Sequence, residues 1–282
     1  MNKEKCCTIS CENPLDQNYW DTQYQCNSTG WDLGCVSPPI QTYIDSLSNK
    51  DISILIPGCG NSYEAEYLLK QGFSNVTLID IAPTLIATLQ QKFKNNLNIT
   101  IILGDFFQHQ AKYDLILEQT FFCALPPSMR QKYVWKMHHL LNKNGILAGV
   151  LFNKEFASGP PFGGTKKEYK LLFDRAFELV SFETARHSAI PRANTELAFQ
   201  FRKNNEVVVT LYNINGITHN ESKETVGQNL AKNKSVLNVS ISNDFTTILV
   251  VSKTEIPVQL LQTAIGSNKH YEITKHEDDT IQ

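Results

Sequence analysis

Short β-branched runs alternate along the chain with stretches of helical apolar spacing. Ile52-Ser-Ile-Leu-Ile56 is almost continuously apolar, the pattern of a strand buried on both faces of a parallel sheet. Pro57-Gly58-Cys59-Gly60-Asn61-Ser62 interrupts it, and Tyr63–Gln71 reads as a helix stopped by Gly72. The alternation continues with a strand over Val76–Ile79 ending at Asp80, and a helix over Pro83–Lys94 with proline in its first turn. It then predicts strands over Ile99–Leu103 and Tyr113–Leu117, a helix over Ser128–Leu141 and a strand over Gly145–Phe152. Lys166–Phe173 reads as a helix, and Phe177–Arg186 and Leu197–Arg202 as closing strands. Strands separated by helices call for crossover connections, so this part is predicted to be a doubly wound, mostly parallel α/β sheet.

A different pattern begins after Lys203-Asn204-Asn205, which reads as a linker. Strand Val207–Tyr212, helix Glu221–Leu230, strands Val236–Ile241 and Thr247–Val251, helix Val258–Ile265 and a short strand at Tyr271 follow in β-α-β-β-α-β order. That order predicts a small α+β ferredoxin-like unit, able to fold alone. At the other end, residues 1–17 are polar and aperiodic and read as a flexible arm. Aromatics then recur at Tyr19, Trp20, Tyr24 and Trp31, and Pro38-Pro39 opens a short helix over Ile40–Leu47. The expected organisation is an arm over 1–17, an α/β domain over 18–202 and a small domain over 206–274, with a frayed charged tail from Lys275.

Composition narrows the partners. A net charge of -2 gives no electrostatic case for nucleic acid or an anionic membrane. No apolar run approaches the roughly 20 residues that span a bilayer, and the first residues lack the apolar core of a secretory signal. The expected setting is cytoplasmic. The seven cysteines are odd in number and scattered, which reads as free thiols rather than a disulfide framework. Cys6, Cys7 and Cys11 lack a second ligand pair at metal-site spacing, so no metal site is read there. The oligomeric state is left open.

In a doubly wound sheet, ligands bind beyond the carboxyl ends of the strands. Three such ends here carry suitable chemistry. Gly58 and Gly60 permit a tight turn and a close backbone approach to a ligand, with the next helix's N-terminal amides behind it. Asp80 can accept both hydroxyls of a ribose, and Asp105 with Phe106 suits an adenine's amino group and ring face. The loop lacks the full Gly-x-Gly-x-x-Gly and has no Gly-Lys-Ser/Thr, which argues against a dinucleotide and against a P-loop. Each feature alone is common; together they point to a nucleoside cofactor.

The set Trp20-x3-Tyr24-x6-Trp31-Asp32, Pro57-Gly-Cys-Gly60, Asp80, Gly104-Asp-Phe-Phe107, Phe121-Phe-Cys-Ala-Leu125 and Gly159-Pro-Pro-Phe162 resembles the thiopurine methyltransferase family. The branch it most resembles contains the plant halide/thiol methyltransferases. The resemblance covers about residues 18–202 and implies a class I, Rossmann-like methyltransferase domain that uses S-adenosylmethionine. By position, the family's cofactor contacts fall on Trp20, Tyr24, Trp31, Gly58, Asp80, Asp105, Phe106 and Gln119. The family often carries Trp where this chain has Tyr24 and an aromatic where it has Gln119. Aromatic faces suit a sulfonium, by about 0.5–2 kcal/mol per well-placed contact. On the acceptor side, Thr120-Phe-Phe-Cys123 with the loop Ser158–Gly164 is expected to line the pocket, with Phe121, Phe122 and Arg192 as substrate contacts. No His/carboxylate pair presents itself as a general base, so the catalytic residues are left unassigned. The implied reaction is methyl transfer to a small molecule such as a thiol, thiocyanate or halide. Methylation of metalloid oxyanions (selenite, tellurite) and a non-catalytic, metal-linked binding role stand as alternatives.

Residues 206–274 resemble a heavy-metal-associated domain. Where that family has Gly-Met-Thr-Cys-x-x-Cys, this chain has Gly216-Ile-Thr-His219-Asn-Glu-Ser222. Two thiolates give such a loop its affinity for soft ions. An imidazole and a hydroxyl do not replace them, so the expected metal ligand set is empty.

Overall fold

A computed structural model describes residues 14–266 and 271–276. Five short apolar strands run parallel at its centre: β1 (Ile54–Pro57), β2 (Val76–Asp80), β3 (Ile99–Leu103), β4 (Tyr113–Gln119) and β5 (Leu141–Phe152). β6 (Phe177–Thr184) and β7 (Glu196–Lys203) close the sheet antiparallel, giving the order β3-β2-β1-β4-β5-β7-β6. α2 (Pro38–Asp45) precedes β1, and α3 (Tyr63–Lys70), α4 (Pro83–Lys92), α5 (Arg130–Leu140) and α6 (Lys166–Phe173) lie between the strands. The strand order reverses beside β1, which places the ends of β1 and β4 side by side and opens a crevice there.

The helices cover both faces. Ile40 and Ile44 of α2, Ala65 and Leu68 of α3, and Leu85, Ile86 and Leu89 of α4 bury one face together with Ile54, Ile56 and Leu78. On the other face, Tyr133, Val134 and Met137 of α5 and Tyr169, Leu172 and Phe173 of α6 pack on Leu55, Ile116 and Leu147.

Gln17–Gln25 forms a helix, α1, capped by Asp16, whose side chain accepts the Tyr19 N–H at 2.9 Å. The part of the expected flexible arm before residue 14, with Cys6, Cys7 and Cys11, lies outside the described residues. The reading of free thiols fails at Cys26, which is disulfide-bonded; Cys35, Cys59 and Cys123 are free.

The C-terminal residues form a second sheet. β8 (Val208–Asn215), α7 (Asn220–Ala231), β9 (Val236–Ile241), β10 (Thr247–Ser252), α8 (Val258–Ala264) and β11 (Glu272–Lys275) follow in β-α-β-β-α-β order, with antiparallel strands arranged β11-β8-β10-β9. One face of this sheet packs on α7 and α8 through Ile214, Val226, Ile248 and Leu261. The other sends Val209, Leu211, Leu249 and Val251 into the same core as α5. α5 therefore lies between two sheets, and two of its polar residues reach beyond the first sheet. Gln131 donates to Ser240 Oγ at 3.0 Å, and the His138 ring, whose pKa burial pulls down to about 3, pairs with the Asn204 carbonyl at 3.1 Å. The stretch read as a linker is a fixed joint: Asn204 donates to the Arg175 carbonyl and Asn205 to Asn144 Oδ1, each at 2.8 Å. No helix among the described residues is long and apolar enough to cross a membrane.

Because α5 is core to both sheets, the two are expected to unfold together. In urea, tryptophan fluorescence and far-ultraviolet circular dichroism should give one coincident transition. Leu249→Ala, on the small sheet, should lower the stability of the whole by about 2–5 kcal/mol. Two separated transitions, with only one moved by the substitution, would show that the units are independent.

Candidate functional site

The carboxyl ends of β1, β2, β3 and β4 open on one cavity of about 860 Å³. Its floor is the loop after β1. Gly58 and Gly60 adopt φ +53° and +52°, a left-handed conformation that side chains disfavour. A Cβ on Gly58 would lie 2.2 Å from Phe121 Cδ2, so the backbone touches the ring with no room for a methyl group. Ser62 follows, also left-handed, and starts α3 with its Oγ buried and without a protein hydrogen-bond partner.

Asp80 ends β2 with one oxygen accepting the Ala82 N–H at 3.0 Å and the other the Gly60 N–H at 3.3 Å. Burial raises its pKa, opposed by the amides of Ala82, Gly60 and Ile81. Asp105 caps the short turn Phe106–Gln108 by accepting the Phe107 N–H at 2.8 Å. Phe106 stands edge-on to Phe121 at 5.0 Å between ring centroids.

α1 and the loop behind it form the opposite wall. Trp20 and Trp31 meet edge to face at 5.6 Å, and Tyr24 and Trp31 at 6.0 Å. Burial, then Asp80 and Cys59, push the Tyr24 phenol upward, so it stays neutral. The wall is pinned at several points. Asp21 accepts the Thr84 N–H at 2.7 Å and so caps α4, whose own first residues offer no side-chain cap. Gln17 donates to the Ile81 carbonyl at 3.0 Å. Asp32 accepts hydrogen bonds from Asn61 Nδ2 and, at 3.2 Å, from the Tyr63 hydroxyl.

All eight residues read from the sequence as cofactor contacts, Trp20, Tyr24, Trp31, Gly58, Asp80, Asp105, Phe106 and Gln119, line this cavity. Gln119 Oε1 is buried there without a protein partner. The acceptor-side expectations divide. Phe121 lines the cavity, as do Thr120, Cys123, Pro160 and Pro161. Phe122 does not: it is buried among Tyr133, Tyr169 and Phe173, and its expected role as a substrate contact is replaced by core packing. Neighbours in a tight turn point to opposite sides, and here the hydrophobic core takes the second. Arg192 lines the cavity, but its guanidinium is engaged, donating to the Trp31 carbonyl at 2.6 Å and to Glu196 at 3.4 Å.

Glu64 was not legible as a site residue. It is buried in the first turn of α3 and lines the cavity, with its pKa raised by burial. Its position four residues after the loop's second glycine is the one signal that could have found it. Among the described residues, the cavity is lined by Asp16, Asp32, Glu64, Asp80 and Asp105, with Arg192 as the cation beside them. A cationic ligand suits such a wall, and the unpartnered Ser62 and Gln119 oxygens suit one bearing hydrogen-bond donors.

Gly58→Ala combines strained φ with the Phe121 contact. It should lower stability by about 1–3 kcal/mol in chemical denaturation. Adding Phe121→Ala should recover part of that loss; strictly additive losses would show that the contact is not tight.

The family model for thiopurine S-methyltransferase matches residues 15–213, which end inside β8. A probable thiol methyltransferase 2 of Arabidopsis thaliana is 30% identical over 199 residues, covering 68% of this chain and 88% of that protein. A thiocyanate methyltransferase 1 of Brassica oleracea is 25% identical over 202 residues, covering 68% and 87%. A thiopurine S-methyltransferase of Vibrio parahaemolyticus is 29% identical over 177 residues, covering 56% and 82%. Among solved structures, the Burkholderia thailandensis 1,6-didemethyltoxoflavin-N1-methyltransferase, crystallised with its substrate and S-adenosylhomocysteine, superposes with a TM-score of 0.56 at 19% identity. It covers 67% of this chain and 87% of its own. That likeness shows the fold, the class I Rossmann-like α/β sheet. The chain belongs to the thiopurine S-methyltransferase family of S-adenosylmethionine-dependent methyltransferases.

Proposed function

We propose that this enzyme transfers the methyl group of S-adenosylmethionine to a small nucleophile, a thiol, thiocyanate or halide. The observation that carries the reading is the convergence of the glycine loop, Asp80, Asp105 and the aromatic wall on one carboxylate-rich cavity. When bound, S-adenosylmethionine supplies an electrophilic methyl group on a sulfonium centre. Asp80 takes the ribose hydroxyls with the oxygens that now hold only backbone amides, and Asp105 with Phe106 takes the adenine. The Gly58–Gly60 turn lets the backbone lie against the cofactor. Trp20, Tyr24 and Trp31 present ring faces to the positive charge and exclude water from it. Gln119 offers its unpartnered carbonyl oxygen.

On the acceptor side, Phe121, Cys123, Leu125, Met129 and Pro161 form an apolar wall. Such a wall strips water from a soft nucleophile and leaves positioning as the main source of rate. The Cys123 thiol is pushed far upward by burial and by Glu118, so it is no thiolate nucleophile. Halides and thiocyanate need no base.

The C-terminal unit is read as a ferredoxin-like, heavy-metal-associated-type module without metal affinity. Its β-α-β-β-α-β order supports this. His219 Nδ1 lies 3.0 Å from Ser222 Oγ and 3.0 Å from Thr218 Oγ1, in a loop that carries no thiolate.

Calorimetry with S-adenosylhomocysteine tests the cofactor: one site is expected, and Asp80→Ala should weaken it by about 1.5–3 kcal/mol. No binding at millimolar ligand would end the reading. With binding in hand, product analysis over thiols, iodide, thiocyanate, selenite and tellurite selects the acceptor, and turnover confined to the metalloid anions would displace the proposed class. For the module, a copper(I) titration against a competing chelator should show no stoichiometric uptake, and saturation at one equivalent that His219→Ala abolishes would overturn its assignment.

A further inference from the structure

We propose that Glu118 is a positioning residue for methyl transfer. Its carboxylate holds the Thr120–Phe121 turn in the shape that makes Phe121 the partition between cofactor loop and acceptor wall. The proposal rests on the methyl-transfer reading only for where the acceptor sits.

Glu118 lies on β4, one residue before the strand ends, and is fully buried. One oxygen accepts the Phe121 N–H at 2.8 Å and the Phe122 N–H at 2.9 Å; the other accepts the Tyr133 hydroxyl at 2.6 Å. These partners are neutral. Between the carboxylate and the amides it holds sits Thr120, a β-branched residue at φ +59°. That conformation costs on the order of 1–3 kcal/mol and persists only where its surroundings enforce it. The two amide bonds supply the enforcement, with the Cys123 thiol donating to the Thr120 carbonyl at 3.3 Å. The consequence is the Phe121 ring, set against Gly58 and 5.0 Å from Phe106. From the other side β5 fixes Glu118: a Cβ on Gly149 would meet the Glu118 carbonyl oxygen at 2.1 Å.

A glutamine would satisfy the same geometry, its carbonyl accepting the amides and its NH2 donating to Tyr133. What the carboxylate adds is charge, which roughly doubles the strength of hydrogen bonds to backbone N–H groups. Burial pushes its pKa up to about 7, with the Tyr133 and amide hydrogen bonds pulling against that rise. The groups facing it are Tyr133 of α5, Cys123 of the turn and Glu196 of β7. Glu196 shares with Glu118, Thr120 and Cys123 a cavity of about 10 Å³ and is paired with Arg192 at 3.4 Å. Tyr133 and Cys123 have pKa values pushed above their ordinary ones and stay protonated near neutral pH. The ionised carboxylate grips the turn more tightly than the acid, so acceptor use should rise with pH as Glu118 ionises.

The test uses the full-length enzyme with saturating S-adenosylmethionine and thiocyanate or iodide, acceptors whose charge does not change between about pH 5.5 and 8.5. Acceptor kcat/KM of the natural enzyme should rise through an inflection near pH 7. Glu118→Gln should be flat with pH and about 3–10-fold below the upper plateau, chiefly through KM, with S-adenosylhomocysteine affinity within threefold of normal. Tyr133→Phe removes a hydrogen bond that lowers the Glu118 pKa, so its inflection should move to higher pH. An unchanged inflection in Glu118→Gln overturns the proposal, as does a parallel loss of kcat and cofactor affinity. Hydrogen exchange separates failure of this proposal from failure of the methyl-transfer reading. The Phe121 and Phe122 amides should exchange at least tenfold faster in Glu118→Ala and within threefold of normal in Glu118→Gln. Equal protection in Glu118→Ala and the natural protein overturns the positioning role whether or not any acceptor turns over.

Discussion

The contact between the Gly58 backbone and the Phe121 ring is the constraint on which the site depends. β1 and β4 are hydrogen-bonded neighbours, Ile54 opposite Leu115, so the loops that leave their carboxyl ends emerge together. The chain resolves the crowding by giving one loop a glycine at positive φ and the other an aromatic ring. No side chain fits between them. The loop after β1 and the turn after β4 are thereby packed directly on each other, and protein interiors are close-packed enough to transmit strain.

The electrostatics follow from what surrounds that contact. The cavity gathers carboxylates from α3, from the ends of β2 and β3 and from the segments around α1, while the Arg192 guanidinium is occupied by Glu196 and the Trp31 carbonyl. Arg192 thus helps hold the aromatic wall rather than supplying a free positive charge. Buried carboxylates carry a desolvation cost, visible in the raised pKa values of Asp80 and Glu64. A cation offsets that cost, and the aromatic faces of Trp20, Tyr24 and Trp31 favour a cation too weakly hydrated to remain in water.

The C-terminal sheet joins this arrangement through α5. The helix holds Tyr133 against Glu118 on one side and receives Leu211 and Leu249 on the other. A helix buried between two sheets cannot show a clean polar face. In α5 the polar residues Gln131 and His138 instead meet partners from the second sheet and the joint before it. The appended residues are thereby part of the packing that positions β4.

The order of strands and helices was legible in the sequence because period-2 and period-3.6 patterns are local, and a parallel sheet forces ligand chemistry to its carboxyl ends. Gly58, Asp80 and Asp105 were picked out on that ground and the aromatic positions on their resemblance to the family, and all of them line the cavity. The helix α1 was missed because its apolar positions are few and aromatic. Phe122 could not be told from Phe121, since the side each faces is set by Thr120 at positive φ, and that in turn by Glu118. The joint at Asn204 looked like a linker because its partners, Arg175 and His138, are far away in sequence. Local spacing determined most of the elements that form and which polar residues stand at the strand ends. Tertiary structure decided which side chains face the cavity, which charges are already paired and where α5 is buried, because those outcomes depend on partners that only folding brings within hydrogen-bonding distance.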